Sequence, residues 1–330
     1  MPGVDKLAVE LGVNRKTMDA ALRLLERERL LARQGPRRKR LILAPDKNIS
    51  RSMRIAMLLY ESTDSQREYI IKLPDALTNA GHTFVTTTKS LMELKMDVAR
   101  VRRFVKKTTA DAWVVMAGSR EVLEWFSTQP LPVFALFGRR QDLPVAAIGP
   151  DYRGAIAATV RHLARLGHRR IVMLNHRERR VPYPGPPERA FLDELAALGI
   201  PVGDYNLPDW EETPKGLRRL LNSLFRVTPP TALIIDEPNL FIATQQFLAE
   251  QGLQVPQQVS LVSTEILSQF NWCMTEVSHY RWDYSKVVPR IIRWAATVSR
   301  GRPDVKQTFV PAEFVSGGTI GPVPTPDAKV

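Results

Sequence analysis

The sequence contains a single cysteine, Cys273, among 330 residues, and this scarcity excludes an internal disulfide framework. No apolar run approaches the roughly 20 residues that a helix needs to cross a bilayer. The N-terminus also lacks the apolar core of a secretory signal peptide. We therefore expect a cytoplasmic protein that has no membrane partner.

Glycine-rich loops that cradle nucleotide phosphates are missing too. The turn after the first predicted strand reads YESTDSQRE and contains no glycine, and Gly317-Gly318 is not followed by a phosphate-binding helix. Cys273 has no recognisable base, so we expect a buried or neutral thiol instead of a nucleophile. His168, at the end of a helix, is expected to be structural. The histidines show no metal-ligand spacing along the chain; they are His82, His162, His168, His176 and His279. These absences predict no catalytic residue, no cofactor and no metal.

Positive charge, in contrast, is abundant and unevenly distributed. The net charge is +13, and residues 1–54 hold 14 Lys/Arg but only 6 Asp/Glu. Such a concentration is typical of a segment that binds nucleic acid or another polyanion. A solvated basic arm is the alternative.

Helical periodicity predicts two short helices in this basic segment. Val4, Leu7, Ala8 and Leu11 recur at helical spacing, and Gly12 should end the first helix. Asn14 is the predicted N-cap of the second helix. The predicted buried stripe of the second helix is Met18, Ala21, Leu22 and Leu25. This leaves Arg15, Lys16 and Thr17 exposed in its first turn, as in the recognition helix of a helix-turn-helix.

A two-stranded wing is predicted after these helices. Leu30–Arg33 and Arg37–Leu43 flank a turn at Gln34-Gly35-Pro36, and basic residues line one edge. Arginine can bond O6 and N7 of guanine together, whereas wing cations neutralise phosphates. The predicted DNA-binding residues are Asn14, Arg15, Lys16, Thr17, Arg23, Gly35, Arg37, Arg38, Lys39 and Arg40.

The segment VDKLAVELGVNRKTMDAALRLLERERLLARQG resembles the winged helix-turn-helix of GntR-like regulators. The resemblance implies that Arg15, Lys16 and Thr17 contact DNA, that Arg23 lies near the DNA backbone, and that Gly35 belongs to the wing. Two departures are visible. The family has a further helix before this pair, and the wing lacks the second glycine that usually follows the turn. If the segment does not fold as a DNA-binding domain, it would serve as an interaction arm.

Beyond a polar linker at residues 45–53, strand-like and helix-like segments alternate. This alternation predicts βαβ units with parallel sheets, arranged as two lobes with a cleft at the carboxyl ends of their strands. The predicted strands are Ile55–Tyr60, Thr83–Thr87, Ala112–Met116, Val133–Phe137, Ile171–Leu174, Leu233–Ile235 and Val259–Val262. The predicted helices are Gln66–Ala80, Val98–Lys107, Tyr152–Leu166, Glu188–Leu198, Lys215–Phe225 and Asn239–Gln251.

Four phrases in this region resemble the effector-binding domain of the LacI/GalR family, which has the periplasmic-binding-protein fold. They are HLARLGHRRIVML, PPTALIIDE, FLAEQGLQVPQQVSLVSTE and FVPAEFVSGGTIG. The resemblance implies an α/β fold with two Rossmann-like parallel-sheet lobes and a sugar-like effector between them. A winged helix on such a sensor resembles the arabinose-repressor architecture.

The strand-end loops are where this resemblance places the effector. The predicted effector-binding residues are Tyr60, Asp64, Tyr69, Asp151, Arg189, Trp210, Glu237 and Glu265. Trp210 would stack on the ligand and Glu265 would accept hydroxyl hydrogens. The alternatives are that Tyr69 belongs to the core and that Trp210 covers an apolar surface.

The chain departs from the family's ligand site at two places. Pro187 replaces the ligand-binding arginine, with Arg189 displaced by two residues, and Asp236-Glu237-Pro238 replaces the usual Ala-Asn-Asp. A proline-rich loop at residues 182–187 accompanies the first change. Three alternatives stay open: another polyol, a cationic ligand, or loss of ligand binding.

Together these observations predict a DNA-binding domain at residues 1–44, a linker at 45–53, an effector-binding and dimerisation domain at 54–321, and a tail at 322–330. We expect a transcriptional regulator, and more specifically a repressor, that binds a double-stranded DNA operator as a homodimer. The alternative is a ligand-sensing protein that has lost DNA binding and acts through protein partners.

Overall fold

The structure, a computed structural model, describes residues 4–27, 31–33, 40–42, 51–265 and 268–323. Packing divides the chain into two compact units. The smaller unit comprises the N-terminal residues through Ser52 together with Ala295–Pro303. The larger unit comprises Met53–Trp294 and the residues from Asp304 onward.

The smaller unit begins with the two predicted helices. Helix α1 is Val4–Glu10 and helix α2 is Arg15–Arg27, and Gly12 between them has a φ of +65°. Glycine adopts this left-handed conformation without the steric cost of a Cβ. Strands β1 (Leu31–Arg33) and β2 (Arg40–Ile42) pair antiparallel, as the wing prediction requires.

A few apolar side chains hold this small unit together. Met18 and Leu22 of α2 pack with Ala8 and Leu31. Ala21, which the periodicity placed in the buried stripe, is exposed. Val4, Leu7 and Leu25 pack against this cluster and stay partly exposed, so the predicted stripe is confirmed except at Ala21.

The larger unit consists of two α/β lobes. The N-terminal lobe contains β3 (Arg54–Leu58), α3 (Glu68–Ile71), α4 (Leu73–Asn79), β4 (Thr83–Thr86), α5 (Val98–Lys107), β5 (Ala112–Met116), α6 (Arg120–Ser127), β6 (Val133–Leu136) and β7 (Ala146–Asp151). The C-terminal lobe contains α7 (Arg153–Arg165), β8 (Ile171–Leu174), α8 (Arg177–Arg180), α9 (Pro186–Ala197), α10 (Pro214–Val227), β9 (Ala232–Ile235), α11 (Pro238–Glu250), β10 (Ser260–Ser263) and β11 (Ser278–Trp282). Helix α12 (Val287–Val298) and strand β12 (Gln307–Val315) follow.

Strand β12 joins the two lobes into one sheet. Among the described residues the sheet order is β4-β3-β5-β6-β7-β12-β11-β10-β9-β8. Gln307–Pro311 pairs parallel with β7, and the next residues, from Ala312, pair antiparallel with β11. Pro311, which has no N–H for a ladder bond, lies at the point where the strand changes partner.

Buried apolar strands explain why helices flank the sheet on both faces. Strands β5, β6, β8, β9 and β10 are buried at every position. Parallel strands that are buried on both faces read as continuous apolar runs. In the C-terminal lobe one core forms beside α7 and α9 and a second core beside α10 and α11.

The structure corrects several sequence expectations. The single helix predicted over Gln66–Ala80 is divided into a 3-10 turn at Ser62–Gln66 followed by α3 and α4. Pro74, the second residue of α4, cannot donate the hydrogen bond that would continue α3, so α3 ends before it. Strands β7 and β11 and helices α6 and α12 were not predicted. Cys273 is exposed, so of the two alternatives expected for it, a buried or a neutral thiol, the buried one was wrong.

No helix in the described part of the chain is both long and apolar enough to cross a membrane.

His168 is a structural residue, as predicted. The imidazole is buried, its Nε2 lies 2.9 Å from the Gly321 carbonyl oxygen, and its Nδ1 lies 2.9 Å from the Thr231 hydroxyl. A carbonyl only accepts, so Nε2 carries the hydrogen and Nδ1 accepts from Thr231. Burial lowers the pKa of His168 below its ordinary value, so the folded protein holds the ring neutral.

This arrangement predicts a loss of stability in mild acid. The unfolded chain protonates His168 near pH 6.5, so it binds more protons than the folded chain as the pH falls. The free energy of unfolding should therefore decrease below about pH 6.5. His168→Gln keeps a donor and an acceptor without the titration, and it should flatten this decrease in urea unfolding measured at several pH values. An unchanged slope in the variant would contradict the assignment.

Candidate ligand cleft and candidate nucleic-acid interface

Polar residues follow the carboxyl ends of several parallel strands in the larger unit. Tyr60 follows β3, His176 follows β8, Asp236 follows β9 and Glu265 follows β10. In open α/β sheets this edge is where ligands bind. The lobes contact each other here, since the Tyr60 ring lies against His176 and Glu265 pairs with Arg67.

Arg67 forms an ion pair with each lobe. Its Nε lies 2.7 Å from Asp64 Oδ1 in the N-terminal lobe, and its Nη1 lies 2.8 Å from Glu265 Oε2 in the C-terminal lobe. Burial alone would lower the pKa of Arg67, but Glu265 and Asp64 more than offset this and keep the guanidinium charged. The buried Tyr69 lies beside this group, and burial raises the pKa of its hydroxyl. Two carboxylates and one arginine therefore hold the lobes together here.

Arg139 makes a second connection between the lobes. This buried side chain follows β6, and its guanidinium donates to the backbone oxygens of Glu178 (3.2 Å), Arg179 (2.7 Å) and Tyr183 (2.9 Å). It also lies over the Tyr183 ring, 5.1 Å from its centroid. A planar guanidinium can satisfy several carbonyls at once, so it fixes the segment that follows β8.

Arg179 lies in a group of buried carboxylates. Its Nε is 2.6 Å from Asp236 Oδ2, and its Nη1 is 4.0 Å from Glu188 Oε1. Asn175 and Thr264 complete the group by donating to Glu188 and Asp236 respectively. Burial raises the pKa of Glu188, although Arg179 opposes the shift. One third of the Arg179 side chain stays exposed (33%), so a ligand in the cleft can reach it.

His176 is the centre of a third group. Its Nε2 lies 2.9 Å from Glu237 Oε2, and its Nδ1 lies 3.5 Å from Glu212 Oε1, an ion-pair distance and not a well-formed hydrogen bond. Burial would lower the pKa of His176, but these two carboxylates raise it to about 10. The rings of Tyr60 and Trp210 lie 6.0 Å and 6.4 Å from the imidazole. His176 is therefore an imidazolium among carboxylates and aromatic rings.

Six of the eight predicted effector residues gather around these groups. Asp64, Tyr69 and Glu265 surround Arg67, whereas Tyr60, Trp210 and Glu237 surround His176. Trp210 is held by a bond from its Nε1 to the Asn175 carbonyl, and Glu237 caps α11 by accepting from the Asn239 N–H.

The other two predicted residues lie elsewhere. Asp151 pairs with Arg153 at the start of α7, with a contact of 2.7 Å. Arg189 is exposed on α9, and the arginine that enters the cleft is Arg179.

Sequence reasoning missed Arg67, Arg179, Glu188 and Glu212. His176 and Asp236 directly follow buried strands, and this position alone could have identified them. Arg67 and Glu212 lie in loops, where no periodicity marks them. Only the fold brings them to the cleft.

In the smaller unit, the first turn of α2 is exposed as predicted. Asn14 Oδ1 accepts from the Thr17 N–H at 2.8 Å and therefore caps the helix. The Arg15 side chain is 77% exposed and lies 3.4 Å from Asp5, while Lys16 and Thr17 are exposed too. Arg23 is exposed and pairs with the partly exposed Asp19, 2.8 Å away. These cations are accessible to a polyanion.

The basic edge of the wing is described in part. The backbone of Arg40 pairs with Arg33 in the β1–β2 ladder. The predicted residues Gly35, Arg37, Arg38 and Lys39 lie outside the described residues.

The Arg67 pairs generate a stability prediction. Arg67→Met keeps the aliphatic stem but leaves Asp64 and Glu265 without their cation, and it should lower the free energy of unfolding by about 1–3 kcal/mol. Lys72→Met is the matched control, because Lys72 pairs with Glu68 on an exposed surface. That change should have little effect in urea unfolding. Equal losses in the two variants would show that the contact between the lobes is energetically unimportant.

Residues 160–320 match the family model of the periplasmic binding protein-like domain. No curated protein is similar enough in sequence to this chain to count as a match.

Solved structures of transcription regulators share the fold. The transcription regulator CcpA of Lactococcus lactis has a TM-score of 0.67 and 13% identity, covering 82% of this chain and 100% of that chain. A LacI family transcriptional regulator from Enterococcus faecium with bound ribose has a TM-score of 0.61 and 14% identity, covering 82% and 99%. The transcriptional repressor ascG of Escherichia coli has a TM-score of 0.60 and 15% identity, covering 82% and 100%. The chain therefore has the two-lobed, periplasmic-binding-protein-like α/β fold that these regulators share.

Proposed function

We propose that this protein is a sequence-specific DNA-binding transcriptional regulator, and more specifically a repressor of the LacI/GalR type. Its smaller unit binds operator DNA through a GntR-like winged helix-turn-helix, in an arrangement like that of the arabinose repressor. The observation that carries the proposal is the exposed, capped and basic first turn of α2, on a chain whose larger unit has the fold of known regulators.

In this proposal the side chains of α2 and the wing have different tasks. Arg15, Lys16 and Thr17 reach base edges in the major groove, because the recognition helix presents its N-terminal residues there. Arg23, Arg37, Arg38, Lys39 and Arg40 contact phosphates, which fix orientation without reading sequence.

The cleft of the larger unit binds the small-molecule effector that controls DNA binding. Arg179, Asp236 and Glu265 supply the charged donors and acceptors that a polyhydroxylated ligand needs, and Trp210 supplies an aromatic face. A ligand that binds better to one arrangement of the lobes shifts the population toward it. If every ligand that stabilises the larger unit left operator affinity unchanged, the proposed coupling would be wrong.

Arg15 and Arg38 provide the sharpest test of DNA binding. An operator is first selected from random duplexes, and affinity is then measured by fluorescence anisotropy for that operator and for a scrambled duplex over a series of salt concentrations. Arg15→Ala should cost about 1–3 kcal/mol on the operator only, through loss of a bidentate contact to guanine. Arg38→Ala should weaken both duplexes alike and reduce the salt dependence by about one phosphate contact.

Arg102→Ala is the control, since Arg102 is exposed on α5 of the larger unit. It should leave both affinities unchanged. Equal behaviour of the Arg15 and Arg38 variants would contradict the assignment of roles. Absence of any selected operator would leave the ligand-sensing alternative, in which protein partners replace DNA.

We further propose that the regulator is a homodimer, so that its two-fold symmetry matches a near-palindromic operator. Trp272 and Met274, in the segment between β10 and β11, are 83% and 99% exposed, and two large apolar side chains exposed so close together form the kind of patch that a protein interface covers. Replacing both with serine should raise the dimer dissociation constant at least about tenfold in sedimentation experiments. Val227→Ser, at an exposed end of α10, should not.

A further inference from the structure

One group of side chains in the cleft has the composition of a metal site. A nitrogen of His176 and carboxylate oxygens of Glu178 and Glu212 all lie within 4.8 Å of one another. The three residues come from two segments that are distant in sequence: His176 and Glu178 follow β8, and Glu212 precedes α10. No ligand spacing along the chain could have indicated this group.

The imidazole is oriented as metal-binding histidines are. Its Nε2 donates to Glu237, 2.9 Å away, and this leaves Nδ1 directed toward Glu212. Histidines that bind metals usually donate their other ring N–H to a carboxylate, which fixes the ring and makes it more basic. Glu237 is itself held at the start of α11, where it caps the helix.

Several polar atoms of this group are buried and have no hydrogen-bond partner among the described residues. They are His176 Nδ1, Glu178 Oε2 and the Tyr60 hydroxyl oxygen. A buried polar atom without a partner destabilises the folded state, and each one therefore requires an explanation. Unpartnered nitrogen and oxygen atoms on neighbouring His and Glu side chains are explained together if they are ligands of one shared ion.

The loop that carries Glu212 is held in place by its own backbone contacts. The N–H of Arg177 donates to the Glu212 carboxylate. Gly216 in α10 packs so closely that a Cβ there would overlap the Glu211 carbonyl oxygen. These contacts place the Glu212 carboxylate beside His176 before any ligand binds.

The charges in the group favour a doubly charged cation. Glu178, Glu212 and Glu237 place three carboxyl groups around one imidazole, and the nearby Arg180 is paired with Asp209. Nitrogen and carboxylate oxygen atoms gathered at one place are the ligands that bind a divalent cation.

We propose that His176 Nδ1 and the carboxylates of Glu178 and Glu212 bind a divalent transition-metal ion, of which Zn²⁺ is the best match. One imidazole nitrogen with carboxylate oxygens suits zinc and its neighbours, whereas Mg²⁺ and Ca²⁺ prefer sites made entirely of oxygen. The Tyr60 ring packs against His176 from the other lobe, so the ion lies where the two lobes meet. The site exists independently of DNA binding, and its test uses no DNA.

Calorimetric titration of the full chain with ZnCl₂ tests the proposal, after treatment with EDTA and removal of the chelator. A Cys273→Ser background removes the exposed thiol, which could bind zinc by itself. We expect one Zn²⁺ per chain, and MgCl₂ should bind much more weakly. Glu178→Gln and Glu212→Gln should each weaken zinc binding about 10–100-fold. Glu211→Gln is the matched control, because Glu211 is exposed and pairs with Arg219.

Co²⁺ provides a second readout that does not depend on affinity. Its visible absorption should report nitrogen and oxygen ligands, and the spectrum should change in His176→Gln but not in Glu211→Gln. Failure of the chain to bind Zn²⁺, or equal zinc binding by the Glu178, Glu212 and Glu211 variants, would overturn the proposal. Binding of 1,4-diaminobutane at this group without zinc binding would overturn it in favour of an organic cation.

Discussion

The larger unit depends on one strand that belongs to both lobes. Strand β12 pairs in parallel with β7 over its first five residues and antiparallel with β11 over its last four. Sliding one strand along its neighbour would break all the backbone hydrogen bonds between them, so the pairing resists this movement. The lobes are therefore joined by backbone hydrogen bonds at their inner edges, and the carboxyl ends of β3, β8, β9 and β10 carry the residues that meet in the cleft.

The cleft between the lobes contains basic side chains together with the acidic side chains that pair with them. Three basic side chains each pair with two carboxylates. The pairs are Arg67 with Asp64 and Glu265, Arg179 with Asp236 and Glu188, and His176 with Glu237 and Glu212. An unpaired buried charge is strongly destabilising, so the members of each group stabilise one another. A ligand must either add its hydrogen bonds to these groups or replace one of their members. This requirement favours a ligand with several polar groups, or an ion, over an apolar molecule.

The smaller unit is held together by a much smaller apolar core than the larger unit. Its core consists of Ala8, Met18, Leu22 and Leu31, and the N-cap bond from Thr17 to Asn14 fixes the start of α2. A core of this size buries little apolar surface, so single contacts matter more than they do in the larger unit. In the proposed function, the residues that would touch DNA belong to the same turn that Asn14 caps. The stability of that turn and the affinity for DNA then both depend on the Asn14 side chain.

The sequence by itself determined the elements whose pattern is local. Apolar runs such as Ala112–Met116 and Ile171–Leu174 specified their strands, because a strand buried on both faces needs an apolar side chain at each position. Asn14 and Gly12 marked helix ends through chemistry within a few residues of themselves. Asp64 and Glu265 were found because they follow a strand, yet nothing near them predicted Arg67, whose farther partner, Glu265, lies 198 residues away from it in the sequence. The tertiary structure decided that contact and the meeting of His176, Glu178 and Glu212, whereas the division of the helix at Pro74 follows from a residue visible in the sequence. Ion pairs and ligand groups of this kind depend on the distance between side chains in space, and a linear pattern of residues does not contain that distance until the strands are ordered in the sheet.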